Sequence, residues 1–170
     1  ALDNRIGCVT LLLMMEQLAD KTLENDLCFV FTAQEEVGLR GAGAAAFAVE
    51  PDVAIAVDVT DTGDLPEMKA PVAVELGRGP AVKVMDRSVI CTPSVVAALE
   101  QAAQDCGVPT QREILLCGGT DTSVLQKARA GVLSGAVSIP TRYIHSPSEM
   151  CAVSDVEYAA GMLARFAVQK

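Results

Sequence analysis

Basic residues are scarce in this chain of 170 residues, and they form no cluster. Lys and Arg number 13 against 22 Asp and Glu, which gives a formal net charge of −9 at pH 7. A nucleic-acid-binding surface needs grouped basic side chains to neutralise phosphates, so the composition argues against nucleic acid as a partner. The acidic balance is compatible with several carboxylates gathered around cations.

Long apolar runs are also missing, although 51% of the residues are hydrophobic. A helix needs about 18 consecutive apolar residues to cross a bilayer, and Glu16, Gln17 and Asp20 interrupt the longest run. We therefore expect no membrane segment, and the N-terminus shows no signal-peptide pattern. The surplus of apolar residues predicts one domain with a tightly buried core, or an apolar surface that another segment covers.

Paired cysteines are the third absence, because none of the six cysteines forms a Cys-x-x-Cys motif. Four of them lie in apolar runs, which predicts small, reduced core residues rather than a disulfide framework. Reduced cysteines in turn predict a cytoplasmic location. The six are Cys8, Cys28, Cys91, Cys106, Cys117 and Cys151.

Helix and strand patterns alternate along the chain. The helix at about 5–20 is apolar nearly all round, which predicts that it is buried. Residues 61–80 are predicted to be loop or edge structure. Alternating strands and helices predict a three-layer α/β/α sandwich with a mostly parallel, mixed sheet. Further helices are predicted at 42–49, 93–106, 122–130 and 154–168, and strands at 27–33, 53–59, 112–117 and 131–138.

Carboxylates follow two of the predicted strands, and the single histidine follows a third. Because working residues in such sheets collect at the carboxyl ends of strands, these side chains are expected at one edge. Carboxylates packed together repel one another unless cations lie between them, and carboxylate and imidazole ligands suit Zn, Co, Mn or Fe. The candidates are Glu35, Glu36, Asp58 and His145, with Asp3 at the start of the first helix.

Each candidate also has a simpler interpretation. Asp3 can be a helix N-cap, and the Glu35–Glu36 pair can be solvated surface. Asp58 can close a turn, and a lone histidine such as His145 is more often structural than a ligand. Their common position at strand ends favours a metal site.

The segment Gly118-Gly119-Thr120-Asp121 precedes a predicted helix, and helix N-termini attract anions. It lacks the Lys-Ser/Thr of a phosphate-binding loop, so a phosphate site is the weaker interpretation. Two alternatives stay open. The glycines can allow close packing of strand and helix with Thr120 or Asp121 as a cap, or the segment can line a substrate site.

Six motifs occur in an order that identifies a family. They are Ala-Leu-Asp-Asn-Arg at 1–5, Phe-Thr-Ala-Gln-Glu-Glu-Val-Gly-Leu-Arg-Gly-Ala at 31–42, Ala-Ile-Ala-Val-Asp-Val-Thr at 54–60, Gly-Arg-Gly-Pro at 77–80, Gly-Gly-Thr-Asp at 118–121 and Pro-Thr-Arg-Tyr-Ile-His-Ser-Pro-Ser-Glu-Met at 140–150. Across essentially the whole chain the sequence resembles the glutamyl/deblocking aminopeptidases. That family includes the tetrahedral aminopeptidases and proteins often labelled cellulase or endoglucanase.

The resemblance implies a cytosolic metal-dependent aminopeptidase with two divalent metal ions, Zn or Co, with Mn also compatible. Asp3 would bridge the two metals, and Glu35 would be the general base that takes a proton from the bridging water. Glu36 and His145 would complete the shell of one metal, and Asp58 would bind the other. The implied partners are peptide substrates and, in the full-length parent, further copies of the same chain.

Three residues are candidates for substrate binding. Gly119 and Asp121 belong to the glycine-rich segment. Arg142 is named because a preference for acidic substrates needs a basic pocket; Arg78 and Arg87 are alternatives for that role.

The family pattern extends beyond this chain. In the family an earlier segment supplies a further histidine that pairs with the Asp58-type ligand, and a small β-domain is inserted before the Ala-Leu-Asp-Asn-Arg motif. The resemblance therefore implies that 1–170 is the C-terminal part of a catalytic domain, truncated at its N-terminus. One metal position would then lack a ligand. The alternative is a catalytically inactive metal-binding or assembly protein that has kept the scaffold.

Overall fold

The computed structural model describes residues 1–66 and 72–169, and these residues form five helices and five strands. The helices are α1 (Arg5–Leu18), α2 (Arg40–Val49), α3 (Pro93–Cys106), α4 (Thr122–Leu125) and α5 (Val153–Ala167). The strands are β1 (Val53–Asp61), β2 (Ala81–Met85), β3 (Gln111–Ile114), β4 (Leu133–Arg142) and β5 (Met150–Cys151).

The strands form one mixed sheet in the order β1-β4-β2-β3, with β5 added beside β4. The β1–β4 and β2–β3 pairs are parallel, whereas β2 and β5 run antiparallel to β4. In the β1–β4 pair Asp58 lies opposite Ser138. The mixed sheet with packed helices confirms the predicted α/β fold.

The hydrophobic core lies on one face of this sheet. Side chains on a strand alternate between the two faces, and Val82, Val137 and Ile139 point into a cluster built by α1, α3 and α5. The neighbouring Lys83 and Ser138 therefore point to the other face, where α4 contacts β1 and β4 and also packs on α2. Among the described residues, no helix has both the length and the apolar character that a bilayer span requires.

The second face holds a buried polar network centred on Glu113. The carboxylate of Glu113 accepts hydrogen bonds from Lys83 Nζ at 2.5 Å, Thr60 Oγ1 at 2.8 Å and Ser138 Oγ at 2.6 Å. Lys83 Nζ also lies 3.5 Å from a carboxylate oxygen of Asp86, and all five residues are buried. Side chains from β1, β2 and β4 thus meet at one carboxylate of β3.

The strand predicted at 27–33 is wrong. The segment has no assigned strand, and in the described part of the chain no other strand pairs with it. Leu27 and Val30 are partly open to solvent, and Phe31 is 50% exposed. A strand needs a neighbour for its N–H and C=O groups, and an apolar run alone does not supply one.

Two burial predictions are also wrong. Helix α1 buries only one side, and Leu12 on the other side is 56% exposed. Of the cysteines, Cys91 is buried and Cys151 partly so, whereas the remaining four are exposed. An apolar run shows which residues can be buried but not which face finds a partner. All six are unpaired thiols, and the cytoplasmic location stays a prediction.

The other differences concern short elements. Strand β2 was not predicted because Lys83 interrupts its apolar pattern, and β5 has only two residues. The helix predicted at 122–130 has its α-helical part limited to Thr122–Leu125. Part of the predicted loop 61–80, residues 67–71, lies outside the described residues, and its first residue is the last of β1.

Candidate metal centre

Asn4, and not Asp3, caps the start of α1. Asn4 Oδ1 accepts a hydrogen bond from Gly7 N at 3.0 Å, and Asn4 Nδ2 donates to the Val57 carbonyl at 2.8 Å. The first bond caps the helix and the second ties its start to β1. Asn4 is therefore the N-cap, and the Asp3 carboxylate is available for another role.

Asp3, Glu36 and His145 come together at one edge of the sheet. His145 Nε2 lies 3.0 Å from Asp3 Oδ2 and 3.4 Å from Glu36 Oε1, and one donor atom from each residue falls within 4.8 Å of the others. Burial raises the pKa of Asp3 to about 6; Glu36 adds to this rise and His145 opposes it. Two carboxylates and one imidazole are a donor set that fits a divalent metal ion.

Glu35 and Asp58 lie close enough to this group for the charge of Asp3 to raise their pKa values. Burial raises the pKa of Glu35 to about 7, and the charges of Asp121, Glu36 and Asp3 contribute. Burial also raises the pKa of Asp58 to about 8, against the opposing effect of a 2.9 Å hydrogen bond from the Val59 N–H. For all three groups burial is the largest cause of the raised pKa, and the charges of neighbouring carboxylates add to it.

Asp121 extends the acidic cluster and does not cap α4. Its Oδ2 accepts a hydrogen bond from Thr32 Oγ1 at 2.7 Å, while its buried Oδ1 has no hydrogen-bond partner among the described residues. Burial raises its pKa, which the Thr32 bond counteracts. The charge of Asp121 raises the pKa of Glu35, the general-base candidate.

Gly119 packs closely against Ser88 in the bend after β2, and not between a strand and a helix as one of the two alternatives for the glycine-rich segment expects. A Cβ built there would lie 2.7 Å from the hydroxyl oxygen of Ser88. Any side chain at this position would displace Ser88. The close approach is compatible with a lining role but does not require one.

Arg142, at the end of β4, is already engaged by a carboxylate. Its Nε lies 3.1 Å and its Nη2 2.6 Å from the two carboxylate oxygens of Asp64. This two-point ion pair holds the pKa of Asp64 well below its usual range. Arg78 forms a 3.0 Å ion pair with Glu75, so two of the three basic candidates for an acidic-substrate pocket have carboxylate partners.

Glu149 is a residue that the sequence interpretation did not single out. Its Oε1 accepts a hydrogen bond from the backbone N of His145 at 3.0 Å. Its Oε2 accepts from the backbone N of Asp3 at 3.3 Å and also from that of Leu2. Glu149 lies within the 140–150 motif, but nothing in the sequence of that motif distinguishes it as a residue of the site.

The types and spacing of the donor atoms fit a metal centre. Asp3, Glu36 and His145 offer oxygen and nitrogen donors at mutual distances that one ion can span. The raised pKa values of Asp3 and Asp58 mark carboxylates that a cation would stabilise in their ionised form. The fold and these side chains define an α/β domain with a candidate metal centre at one edge of its sheet.

The chain belongs to the M42 glutamyl aminopeptidase family, whose family model matches residues 1–162. This confirms the resemblance inferred from the six motifs, and it places the chain in a family of peptide hydrolases that use divalent metals. A putative aminopeptidase from Acetivibrio thermocellus is 52% identical over 163 residues, which are 96% of this chain and 48% of that protein. The chain spans about half the length of the curated relatives it matches.

Solved structures of aminopeptidases resemble the chain over its whole length. An aminopeptidase from the archaeon Desulfurococcus kamchatkensis superposes with a TM-score of 0.95 at 37% identity, covering 100% of this chain and 48% of the other. The Pyrococcus horikoshii TET1 peptidase, described as assembling into a tetrahedron or a large octahedral shell, gives a TM-score of 0.86 at 32% identity. That match covers 99% of this chain and 49% of the other.

Proposed function

We propose that this chain carries the metal-binding and proton-transfer residues of an aminopeptidase that removes N-terminal residues from peptides. The observation that carries the proposal is the convergence of Asp3, Glu36 and His145 donor atoms within 4.8 Å, beside Glu35. Family membership supplies the reaction class. The role of each residue in that reaction is inferred from the side chains of this chain.

Two divalent ions, Zn or Co, with Mn also compatible, fit the donor set. In the proposal Asp3, Glu36 and His145 would hold one ion, and Asp3 and Asp58 would hold the second. When bound, such a pair polarises the carbonyl of the scissile peptide bond. The ligands of the second position are fewer in this chain, so the Asp3–Glu36–His145 position is the tighter of the two.

Glu35 is the general base in this proposal. Its pKa is raised to about 7 by burial, which suits a group that must take up and release a proton near neutral pH. Glu35 and Glu36 lie in a turn, where the Glu35 carbonyl accepts hydrogen bonds from the N–H groups of Gly38 and Leu39. In the proposal Glu36 binds metal while Glu35 faces the water. Glu35 takes the proton of the attacking water and passes it to the departing amine.

Asp121 is proposed to bind the α-ammonium group of the substrate. Its Oδ1 is buried without a hydrogen-bond partner among the described residues, and a buried carboxylate oxygen in that state favours a cation. Gly119, two residues earlier in the chain, would contact the same substrate. Arg142 would contact the substrate from the end of β4, although its ion pair with Asp64 reduces its strength as an anion site.

The full-length parent is proposed to form homo-oligomers, because the similar TET1 peptidase is described as an assembled shell. A second candidate function is a catalytically inactive metal-binding or assembly protein. The observation that favours it is the coverage: the chain corresponds to about half of its relatives.

Cobalt binding and hydrolysis of amino-acid p-nitroanilides test these alternatives. Turnover by the purified chain that chelator abolishes, Co²⁺ restores and Glu35→Gln removes supports the aminopeptidase. Loss of the general base is expected to lower kcat by about 10²–10⁴-fold, whereas the exposed Glu157→Gln control keeps wild-type turnover. Bound metal without turnover favours the inactive alternative, and a chain that binds no metal contradicts the proposal.

A further inference from the structure

One carboxylate holds the backbones of two of the three proposed donor residues. Glu149 Oε1 accepts from the N–H of His145 at 3.0 Å, and Glu149 Oε2 accepts from the N–H groups of Asp3, at 3.3 Å, and Leu2. Asp3 precedes α1 and His145 follows β4, so the two ligands come from opposite ends of the sequence. Glu149 therefore bonds to the backbone of both segments, in addition to the 3.0 Å contact between the Asp3 and His145 side chains.

The segment around His145 has a backbone that needs such support. His145 has φ +61° and Tyr143 has φ +59°, both in the left-handed region that non-glycine residues seldom adopt. Conformations of this kind persist where surrounding contacts hold them. The hydrogen bond from the His145 N–H to Glu149 acts on that strained residue itself.

Packing does little to fix two of the three donor side chains. The side chains of His145 and Glu36 are 67% and 58% exposed, so few neighbours restrict them. The position of the imidazole is then set mainly by its backbone, whereas the Asp3 side chain is 11% exposed and is also held by its neighbours. Residues that orient metal ligands in this way typically contribute about 10–100-fold to metal affinity.

We propose that Glu149 is a positioning residue that preorganises Asp3 and His145 for metal binding. The consequence for metal affinity rests on the metal centre proposed above, whereas the preorganisation itself can be measured without metal. Glu149 touches neither substrate nor reacting atoms in this scheme. Its contribution is to hold two ligand backbones at the spacing that brings Asp3 Oδ2 and His145 Nε2 to 3.0 Å.

Nuclear magnetic resonance of the metal-free chain tests the preorganisation. In Glu149→Gln one carboxylate oxygen is replaced by an NH₂ group that cannot accept from a backbone N–H. The amide resonances of Asp3 or His145 should shift, and in Glu149→Ala both should shift together. The control Glu157→Gln, on the exposed side of α5, should leave both in place. Unmoved Asp3 and His145 amides in a folded Glu149→Ala chain would overturn the proposal.

Cobalt titration, followed by the visible absorption of Co²⁺, tests the consequence. We expect Glu149→Ala to weaken Co²⁺ binding by about 10–100-fold, with Glu149→Gln between it and the wild type and thermal midpoints unchanged. Wild-type affinity in Glu149→Ala contradicts the positioning role. A wild-type chain that binds no Co²⁺ contradicts the proposed metal centre instead, and the amide shifts then decide on Glu149 alone.

Discussion

The molecule contains two groups of buried or half-buried carboxylates on the same sheet, and they differ in what surrounds them. At Glu113 both carboxylate oxygens accept hydrogen bonds, and one of the donors is the ammonium group of Lys83. At the edge of the sheet Asp3, Glu35 and Asp58 lie near one another, and the nearby side chain that can oppose their charge is His145. The Glu113 carboxylate is thus balanced by a cation and hydrogen-bond donors, whereas the carboxylates at the edge are not.

The difference separates a structural cluster from a functional one. Buried carboxylates are tolerated where a cation and hydrogen-bond donors compensate for the lost hydration. For Asp3, Glu35 and Asp58 the lost hydration is only partly compensated, and burial raises their pKa values to about 6, 7 and 8. A cluster that lacks positive charge at the carboxyl ends of strands is where added divalent ions would have the largest effect.

Removing the cation of the balanced group is expected to have the largest effect on stability. Lys83→Met leaves the buried carboxylates of Glu113 and Asp86 without their ammonium partner, which should lower the free energy of unfolding by about 3–5 kcal/mol. Urea denaturation measures the loss. The exposed Lys127→Met is the matched control and should change little.

A double variant sharpens this test. Lys83→Met combined with Glu113→Gln removes both charges of the pair, so part of the lost stability should return because the two residues interact directly. If Lys83→Met costs no more than Lys127→Met, the interpretation of the Glu113 network as a balanced group is wrong.

Asp3, Glu35 and Asp58, the unbalanced group, should make the free energy of unfolding of the metal-free chain depend on pH. The folded-state pKa values of Asp3, Glu35 and Asp58 lie above their ordinary values of 3.8 and 4.5. The folded protein therefore binds more protons, and this contribution to stability is complete below about pH 4 and lost as the pH rises through about 6–8. The free energy of unfolding in chelator should fall between pH 5 and pH 8.

Asp58→Asn should remove much of that fall, because the amide does not ionise. At pH 8 the variant should exceed the wild type in free energy of unfolding by on the order of 2 kcal/mol, and the difference should vanish near pH 4. The exposed Asp52→Asn is the control. Stability that rises with pH in chelator would contradict the prediction, whereas a rise in the presence of Co²⁺ is expected because metal binding requires ionised carboxylates.

Much of the fold was predictable because its main elements carry their patterns locally. The apolar periodicity of α3 and α5 and the continuous apolar run of β1 lie within each segment. The meeting of Asp3, Glu36 and His145 was predicted from the rule that working residues collect at strand ends. Only His145 follows an observed strand, because the segment before Glu36 forms no strand and Asp3 lies at the start of α1.

The failures concern features that depend on a partner distant in the sequence. The run 27–33 has the composition of a strand but no pairing neighbour among the described residues. Glu149 looks like one more polar loop residue until its two hydrogen-bonded backbones are seen together. The Glu113 network was missed for the same reason, because its members come from four separate strands.

The smallest expected effect comes from the residue next to Glu113 on the same strand. Arg112 points to the opposite face of β3, where it forms a two-point ion pair with Glu100 at 2.6 and 2.9 Å, and its side chain is 68% exposed. Water already solvates such a pair, so Arg112→Gln should leave the urea midpoint within error of the wild type. A loss of stability as large as that of Lys83→Met would show that burial does not distinguish the Lys83–Glu113 and Arg112–Glu100 ion pairs. The contrast between the balanced interior group and the edge group would then be wrong.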